Sequence, residues 1–199
     1  MVKRFRRTLA IVGQLIWFPA FWFLAYIICR AKVLNNLNLP SDPKARYIIA
    51  ANHQSRLDAF IITGILSPRF WIRLLPYRYI TANQYLYNPR FTWLLWPLGG
   101  FPAFHTKREG SGLEQAQKIL ISGQTVCIFP EGRRSRPYEE KPKRGVGVLA
   151  NTPRTYVIPI KLQWRHKPRR VNVSIGKAYK AAGHTPDNIL STIYKLSDV

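Results

Sequence analysis

The chain has 199 residues, with 31 Lys+Arg against 9 Asp+Glu, and 47% of it is hydrophobic, including 6 Trp, 10 Tyr and 10 Phe. That length suits one domain with a small appendage, and the apolar fraction excludes wholesale disorder. A formal charge of +22 points to acidic partners, while two cysteines, Cys29 and Cys127, exclude a disulfide framework or a Cys-built zinc cage.

Thr8 to Cys29 is a run of 22 residues without a charge. As a helix it would reach about 33 Å, enough for the hydrocarbon core of a bilayer. Lys3, Arg4, Arg6 and Arg7 precede it, and Arg30 and Lys32 follow it. Positive charge on both flanks leaves orientation open. Pro19, in mid-segment, is expected to kink or break the helix, so a single kinked span competes with two half-helices dipping into one leaflet. The basic flanks, Trp17 and Trp22 favour a membrane interface over a buried core helix. Ala-x-Ala spacing is missing, which disfavours a signal peptide. Residues 1–34 are therefore read as a membrane-associating helix or broken helix pair, and 35–199 as an α/β domain. Removing everything before Asn35 is expected to yield a soluble protein.

From Ala45 the pattern changes. Arg46 to Ala51 is a short apolar run bounded by Pro43 and Asn52, which predicts a buried strand. Asp58 to Leu66 is predicted as a helix stopped by Ser67-Pro68. Arg69 to Leu75 reads as a second strand, and Thr81 to Leu98 as a helix with ends broken by Pro89 and Pro97. Gly112 to Ser122 has helical spacing at Leu113, Ala116, Ile119 and Leu120, with Gly123 as its stop. Thr125 to Phe129 is a buried-strand pattern ended by Pro130. A short helix is expected at Gly145 to Asn151, strands at Tyr156 to Leu162 and Arg170 to Ile175, and a closing helix at Asp187 to Leu196. Alternation of this kind argues an α/β fold, a mostly parallel mixed sheet flanked by helices.

Two loops carry the candidate chemistry. The first is Asn52-His53-Gln54-Ser55-Arg56-Leu57-Asp58, between a strand and a helix. Histidine is the natural general base near neutral pH, and a carboxylate can fix its tautomer. On one continuous helix, five positions turn about 500°, leaving the two side chains about 140° apart. They can meet only if His53 lies in the turn and Asp58 opens the helix. The second loop is Phe129-Pro130-Glu131-Gly132-Arg133-Arg134-Ser135-Arg136. A carboxylate at the carboxyl end of a buried strand sits where open α/β sheets bind ligands, and the arginines suit phosphate. Each loop alone also has a plainer reading: a loop histidine with a helix-opening Asp, and a solvated basic turn.

Taken together, the loops resemble the glycerophospholipid acyltransferase family that includes 1-acylglycerol-3-phosphate acyltransferases. That family carries Asn-His-x4-Asp and Phe-Pro-Glu-Gly-Thr/Ser-Arg-Ser. Asn52, His53 and Asp58 match the first, and Phe129, Pro130, Glu131, Gly132, Arg134 and Ser135 the second, with Arg133 at the Thr/Ser position. Lys143 and Gly145 match a following Lys-x-Gly, and Val157, Ile158 and Pro159 a Val-Ile-Pro strand. In the block Gly99 to His105, His105 stands where the family has Arg, with Lys107 and Arg108 close by.

The resemblance implies transfer of a fatty acyl chain from an acyl thioester to a lysophospholipid hydroxyl, with 1-acylglycerol-3-phosphate the first acceptor to consider. It implies His53 as base and Asp58 as its orienting acid. Glu131 and Gly132 would position the glycerol part, and Arg134 and Lys143 the phosphate, aided by His105, Lys107 or Arg108. Pro159 would shape the acyl-donor side. The donor is acyl-CoA or acyl carrier protein. No cofactor or metal is expected, and membrane lipids are the expected surroundings, with the catalytic domain on the cytoplasmic face. Cys127 lies in a buried-strand pattern and Cys29 in the apolar leader, so neither thiol suits an acyl-enzyme nucleophile. His166, in a basic loop from Arg165 to Arg170, and His184, after Gly183, read as ordinary.

Other readings keep a different acceptor lipid, or a different class. A basic single-strand nucleic-acid binder would use mixing such as Tyr77-Arg78-Tyr79, but the basic residues are scattered and the apolar leader stays unexplained, so no nucleic-acid partner is expected. A non-enzymatic membrane scaffold of the same fold would make His53 dispensable.

Overall fold

The computed structural model describes residues 2–103, 112–134, 139, 141–166 and 169–198. His105, Lys107, Arg108 and Ser135 lie outside the described residues. The chain forms helix α1 (Val2–Phe23), a π-helical turn (Leu24–Ile28), β1 (Lys32–Asn35), β2 (Arg46–Ala51), α2 (Asp58–Ile65), α3 (Pro68–Leu74), β3 (Tyr77–Thr81), α4 (Asn83–Leu86), α5 (Pro89–Leu95) and β4 (Gly100–Pro102). It continues with α6 (Gly112–Ile121), β5 (Thr125–Ile128), α7 (Gly145–Ala150), β6 (Thr155–His166), β7 (Arg169–Ile175), β8 (Tyr179–Lys180) and α8 (Pro186–Tyr194).

The strands make one mixed sheet in the order β1-β7-β6-β2-β5-β3-β4, with β8 also paired to β6. Among the described residues, only the β6–β7 and β6–β8 pairings are antiparallel; the rest are parallel. This is the expected mostly parallel sheet. The pleat divides β2 between two cores. Ile49 and Ala51 pack with Ile158, Ile160 and Leu162 against the α2 side. Ile48 and Ala50 pack with Val126 and Val157 against the side of α6, α7 and α8. Burial on both faces explains why β2 reads as continuous apolar sequence.

The segment Arg69–Leu75, expected as a strand, is helix α3. Pro68 occupies the first helical turn, where its missing N–H costs nothing, and Trp71 and Leu74 are buried three positions apart. The strand is β3, whose Arg78 and Tyr79 had suggested surface mixing; Tyr77 and Arg78 are buried. Thr81–Leu98, expected as one helix, is two short ones, because Pro89 opens α5 and the Asn88 side chain accepts from Arg90 N–H. The basic run near His166 is largely strand: Arg165 pairs with Arg170 across the β6–β7 hairpin.

Pro19 does not break α1. The helix runs through it to Phe23 and then widens into the π-helical turn, where Cys29 N–H reaches Leu24 O at 2.9 Å. One stripe of α1 is buried: Ala10, Gln14, Phe21, and beyond it Ala25 and Cys29. Gln14 acts as a clip. Its amide donates to Tyr77 O (2.7 Å) and Leu98 O (2.9 Å), and its carbonyl accepts from Tyr77 N–H (3.0 Å). Where α1 crosses α2, a Cβ on Gly64 would come within 2.3 Å of Phe21 O, so only glycine permits this approach. At the far end, Cys29 O accepts from Val171 N–H of β7. From Gln14 to Cys29 is about 22 Å of helix, close to the roughly 19 Å between β3 and β7 at about 4.8 Å per strand. The helix therefore lies across the sheet. The expected boundary after residue 34 falls inside β1, which pairs with β7.

Candidate active site

The first loop leaves β2 where its ladder with β6 ends, at Ala51–Ile160. Side chains then continue the pairing. Asn52 Nδ2 donates to Leu162 O (2.9 Å) and its Oδ1 accepts from Leu162 N–H (2.6 Å). Gln54 Oε1 accepts from Trp164 N–H at 3.1 Å. Two carboxamides thus stand in for peptide groups and hold the turn containing His53 against β6.

Asp58 is the first residue of α2 and is fully buried. Its Oδ2 accepts from Gln54 N–H, Ser55 N–H and the His53 ring at Nδ1, each at 2.8 Å. Its Oδ1 accepts from the Trp164 indole N–H at 2.7 Å. An ionised carboxylate only accepts, so Nδ1 carries the proton and Nε2 holds the lone pair. Nε2 has no hydrogen-bond partner among the described residues, and the His53 side chain is 22% exposed. The ring stacks on Phe129 with centroids 4.1 Å apart. The arrangement can accept a proton from a hydroxyl at Nε2 and stabilise the imidazolium through Asp58.

The second loop meets the first through Glu131. Its Oε2 accepts from His53 N–H at 2.6 Å, and its Oε1 accepts from the Tyr194 hydroxyl of α8. Glu131 is buried with both oxygens committed inside the protein, so it braces the backbone at His53 rather than reaching outward. Gly132 has φ +72°, and a Cβ there would come within 2.9 Å of the Lys143 stem. Lys143 N–H donates to Pro130 O at 2.7 Å, closing the loop. Both Lys143 and Arg134 are exposed. Pro159 is buried in β6, in register with Ala50, and its carbonyl accepts from Gly176 N–H.

Sequence reasoning brought His53, Asp58 and Glu131 forward, and the fold brings these three together. It missed Gln54, Trp164 and Tyr194, which touch the site from more than 60 positions away or, for Gln54, by a side chain with no chemical signature. Cys127 is buried and burial pushes its thiol pKa up, which leaves it a poor nucleophile. Among the described residues, no three His, Cys, Asp or Glu side chains cluster as a metal site would need. A cavity of about 570 Å³, lined by Phe18, Trp22, Tyr26 and Ile65 among others, opens beside the far end of α2 and shares no lining residue with the His53 site.

A mixed sheet carrying a buried acid beneath a half-open histidine, with a braced acidic turn beside it, matches an established class, and the chain belongs to the Acyltransferase family, whose model covers residues 30–163. It is similar to the 1-acyl-sn-glycerol-3-phosphate acyltransferase of Pseudomonas aeruginosa, 29% identical over 174 residues, covering 79% of this chain and 62% of that protein. The Bacillus subtilis protein of the same name is 27% identical over 135 residues, covering 66% of this chain and 62% of that one. The chain thus spans under two thirds of the length of these relatives. In fold it resembles the crystal structure of the 1-acyl-sn-glycerophosphate acyltransferase from Thermotoga maritima, with a TM-score of 0.63, 19% identity, and 98% of this chain and 79% of that one covered.

Proposed function

We propose that this protein transfers a fatty acyl chain from an acyl thioester to the free hydroxyl of a lysophospholipid, with 1-acylglycerol-3-phosphate as acceptor and phosphatidic acid as product. The observation that carries the reading is the His53–Asp58 pair, Nδ1 to Oδ2 at 2.8 Å with Nε2 left open. His53 Nε2 takes the acceptor hydroxyl proton as the oxygen attacks the thioester carbonyl, and the thiol leaves with a proton. A base so placed contributes about 10²–10⁴-fold, with orientation supplying much of the remainder. Arg134 and Lys143, exposed on the turn beside His53, offer charge to the acceptor phosphate, and His105, Lys107 and Arg108 add to it. Pro159 supports the acyl-donor side only indirectly, from inside the sheet. The donor is acyl-CoA or acyl carrier protein.

The same reading places the protein on a bilayer. The segment Phe5–Ile28 is long and apolar enough to cross a membrane, yet α1 is clipped transversely to the sheet by Gln14, so threading it through a bilayer would drag the domain with it. Its outer face instead suits one leaflet: Phe5, Leu15, Ile16 and Trp22 are exposed, Ile16 at 69%. Trp93 of α5 extends this face, its ring 6.2 Å from Trp17, and Arg6 lies over the Trp96 ring. Apolar area with aromatic and basic margins is the signature of interfacial docking. We place the docked domain on the cytoplasmic side.

The test offers purified protein a panel of lyso-lipids with acyl-CoA and with acyl carrier protein, and reads the products by mass spectrometry. Turnover with a lysophosphatidic acid, lost in a folded His53→Ala variant, is the expected result. Near-normal transfer by that variant would defeat the assignment, and absence of transfer by wild type on every acceptor would favour the scaffold reading.

A further inference from the structure

We propose that Trp164 is a positioning residue of this site: its indole N–H, 2.7 Å from Asp58 Oδ1, holds the second oxygen of the carboxylate that orients His53. The inference rests on the acyl-transfer reading above and goes beyond it, since Trp164 lies outside residues 30–163 matched by the family model.

The terminal torsion of an aspartate is soft and roughly two-fold, so the carboxyl plane is not fixed by its own stereochemistry. Three donors converge on Oδ2: the His53 ring, Gln54 N–H and Ser55 N–H. Those donors hold one edge of the carboxylate and leave the other oxygen to be satisfied. Among the described residues the indole is the donor on that second oxygen, and it grips the carboxylate from the side away from His53. Asp58 is fully buried, so solvent does not reach in to replace a missing donor. Trp164 is itself held at two points, because its backbone N–H donates to Gln54 Oε1 while its ring packs at the margin of the core on the α2 side. Strand β6 thereby reads the same loop twice, through Gln54 and through Asp58. An indole has a donor and no acceptor, so it cannot be turned around to serve a different state of the carboxylate.

The experiment uses the full chain with Trp164→Phe, which keeps an aromatic ring and removes the N–H. Lysophosphatidic acid and acyl-CoA serve as substrates. The expected result is a fall in kcat of about 10-fold, the scale of one hydrogen bond to a charged group, with both KM values within about two-fold. Unchanged kcat, or a loss shared with KM, would overturn the proposal and leave Trp164 as packing. A second arm does not depend on turnover. In ¹⁵N-labelled protein, one indole N–H resonance should be shifted downfield and slow to exchange, and should move upfield in Asp58→Asn; six unmoved indole signals would overturn the proposal even if the chain proves inactive on every acceptor. If wild type transfers no acyl chain but the indole signal responds to residue 58, the acyl-transfer reading fails and the Trp164–Asp58 coupling stands.

Discussion

Asp58→Asn offers a test in which the geometry fixes both sign and size. The new side chain has one acceptor oxygen and one amide. Gln54 N–H, Ser55 N–H and the His53 Nδ1–H all point at the Oδ2 position, so the oxygen must go there. The amide then faces the Trp164 indole N–H across a contact that is 2.7 Å in the native protein. Two donors meet in a buried place, which costs about 1–3 kcal/mol. The tautomer survives, but the negative charge beneath the imidazolium is gone. At the effective dielectric suited to such sites that charge is worth about 4 kcal/mol, or a fall in kcat on the order of 10³-fold. Adding Trp164→Phe removes the donor clash and nothing that restores charge. The double variant should therefore recover about 1–2 kcal/mol of stability relative to the sum of the singles, while turnover stays as low as in Asp58→Asn. Urea denaturation of the four proteins in the cycle, with kcat measured on each, provides the data. Additive stabilities within about 0.5 kcal/mol would refute the donor–donor reasoning, and kcat within ten-fold of wild type for Asp58→Asn would refute the charge.

Four further outcomes follow from the fold. Gln14→Leu should destabilise by about 3 kcal/mol, because Tyr77 N–H and the carbonyls of Tyr77 and Leu98 lose their buried partner; a thermal melt within 1 °C of wild type would contradict the clip. Ile16→Lys, on the exposed face of the same helix, should leave the melt unchanged and weaken binding to anionic vesicles, whereas deletion of residues 1–34 should unfold the chain rather than release a soluble domain. In alkaline solution the raised Cys127 thiol works against stability. Below its ordinary value near 9 both folded and unfolded thiols are protonated; above it the unfolded thiol ionises and the buried one does not, so stability falls by up to about 1.4 kcal/mol per pH unit. Urea midpoints between pH 8 and 11 should show that slope, reduced in Cys127→Ala.

Much of the fold was legible because its signals are local. The two-sided burial of β2 and β5 writes continuous apolar runs, and α6 shows its buried side at Ala116, Ile119 and Leu120. The misreadings share a cause. Arg69–Leu75 has strand-like composition, and only the tertiary burial of Trp71 and Leu74 on one helical face decides against it. Strand β3 was hidden because Arg78 looks like surface. In the fold its guanidinium is buried, donating to Gly99 O and Gln124 Oε1, with its pKa lowered to about 10 by desolvation and by nearby Arg6. The strands β1, β4 and β8 are two to four residues long, too short for a period of two to declare itself.

The site divides in the same way. His53 and Asp58 are five positions apart and carry their own chemistry, so sequence alone could require the histidine to sit in a turn and the acid to open a helix. What makes the pair rigid comes from afar: Leu162 and Trp164 lie 106 to 110 positions from their partners in the loop, and Tyr194 lies 63 from Glu131. None of those side chains is reactive, and none has a spacing that local geometry constrains. Their role follows from one topological fact, that β6 runs beyond the last residue of β2 and offers unpaired peptide groups there. Asn52 and Gln54 take up those groups, which fixes the turn; Asp58 then finds an indole, and His53 finds the backbone brace of Glu131. The length of β6 past Ile160 is thus what turns two adjacent reactive residues into a held pair.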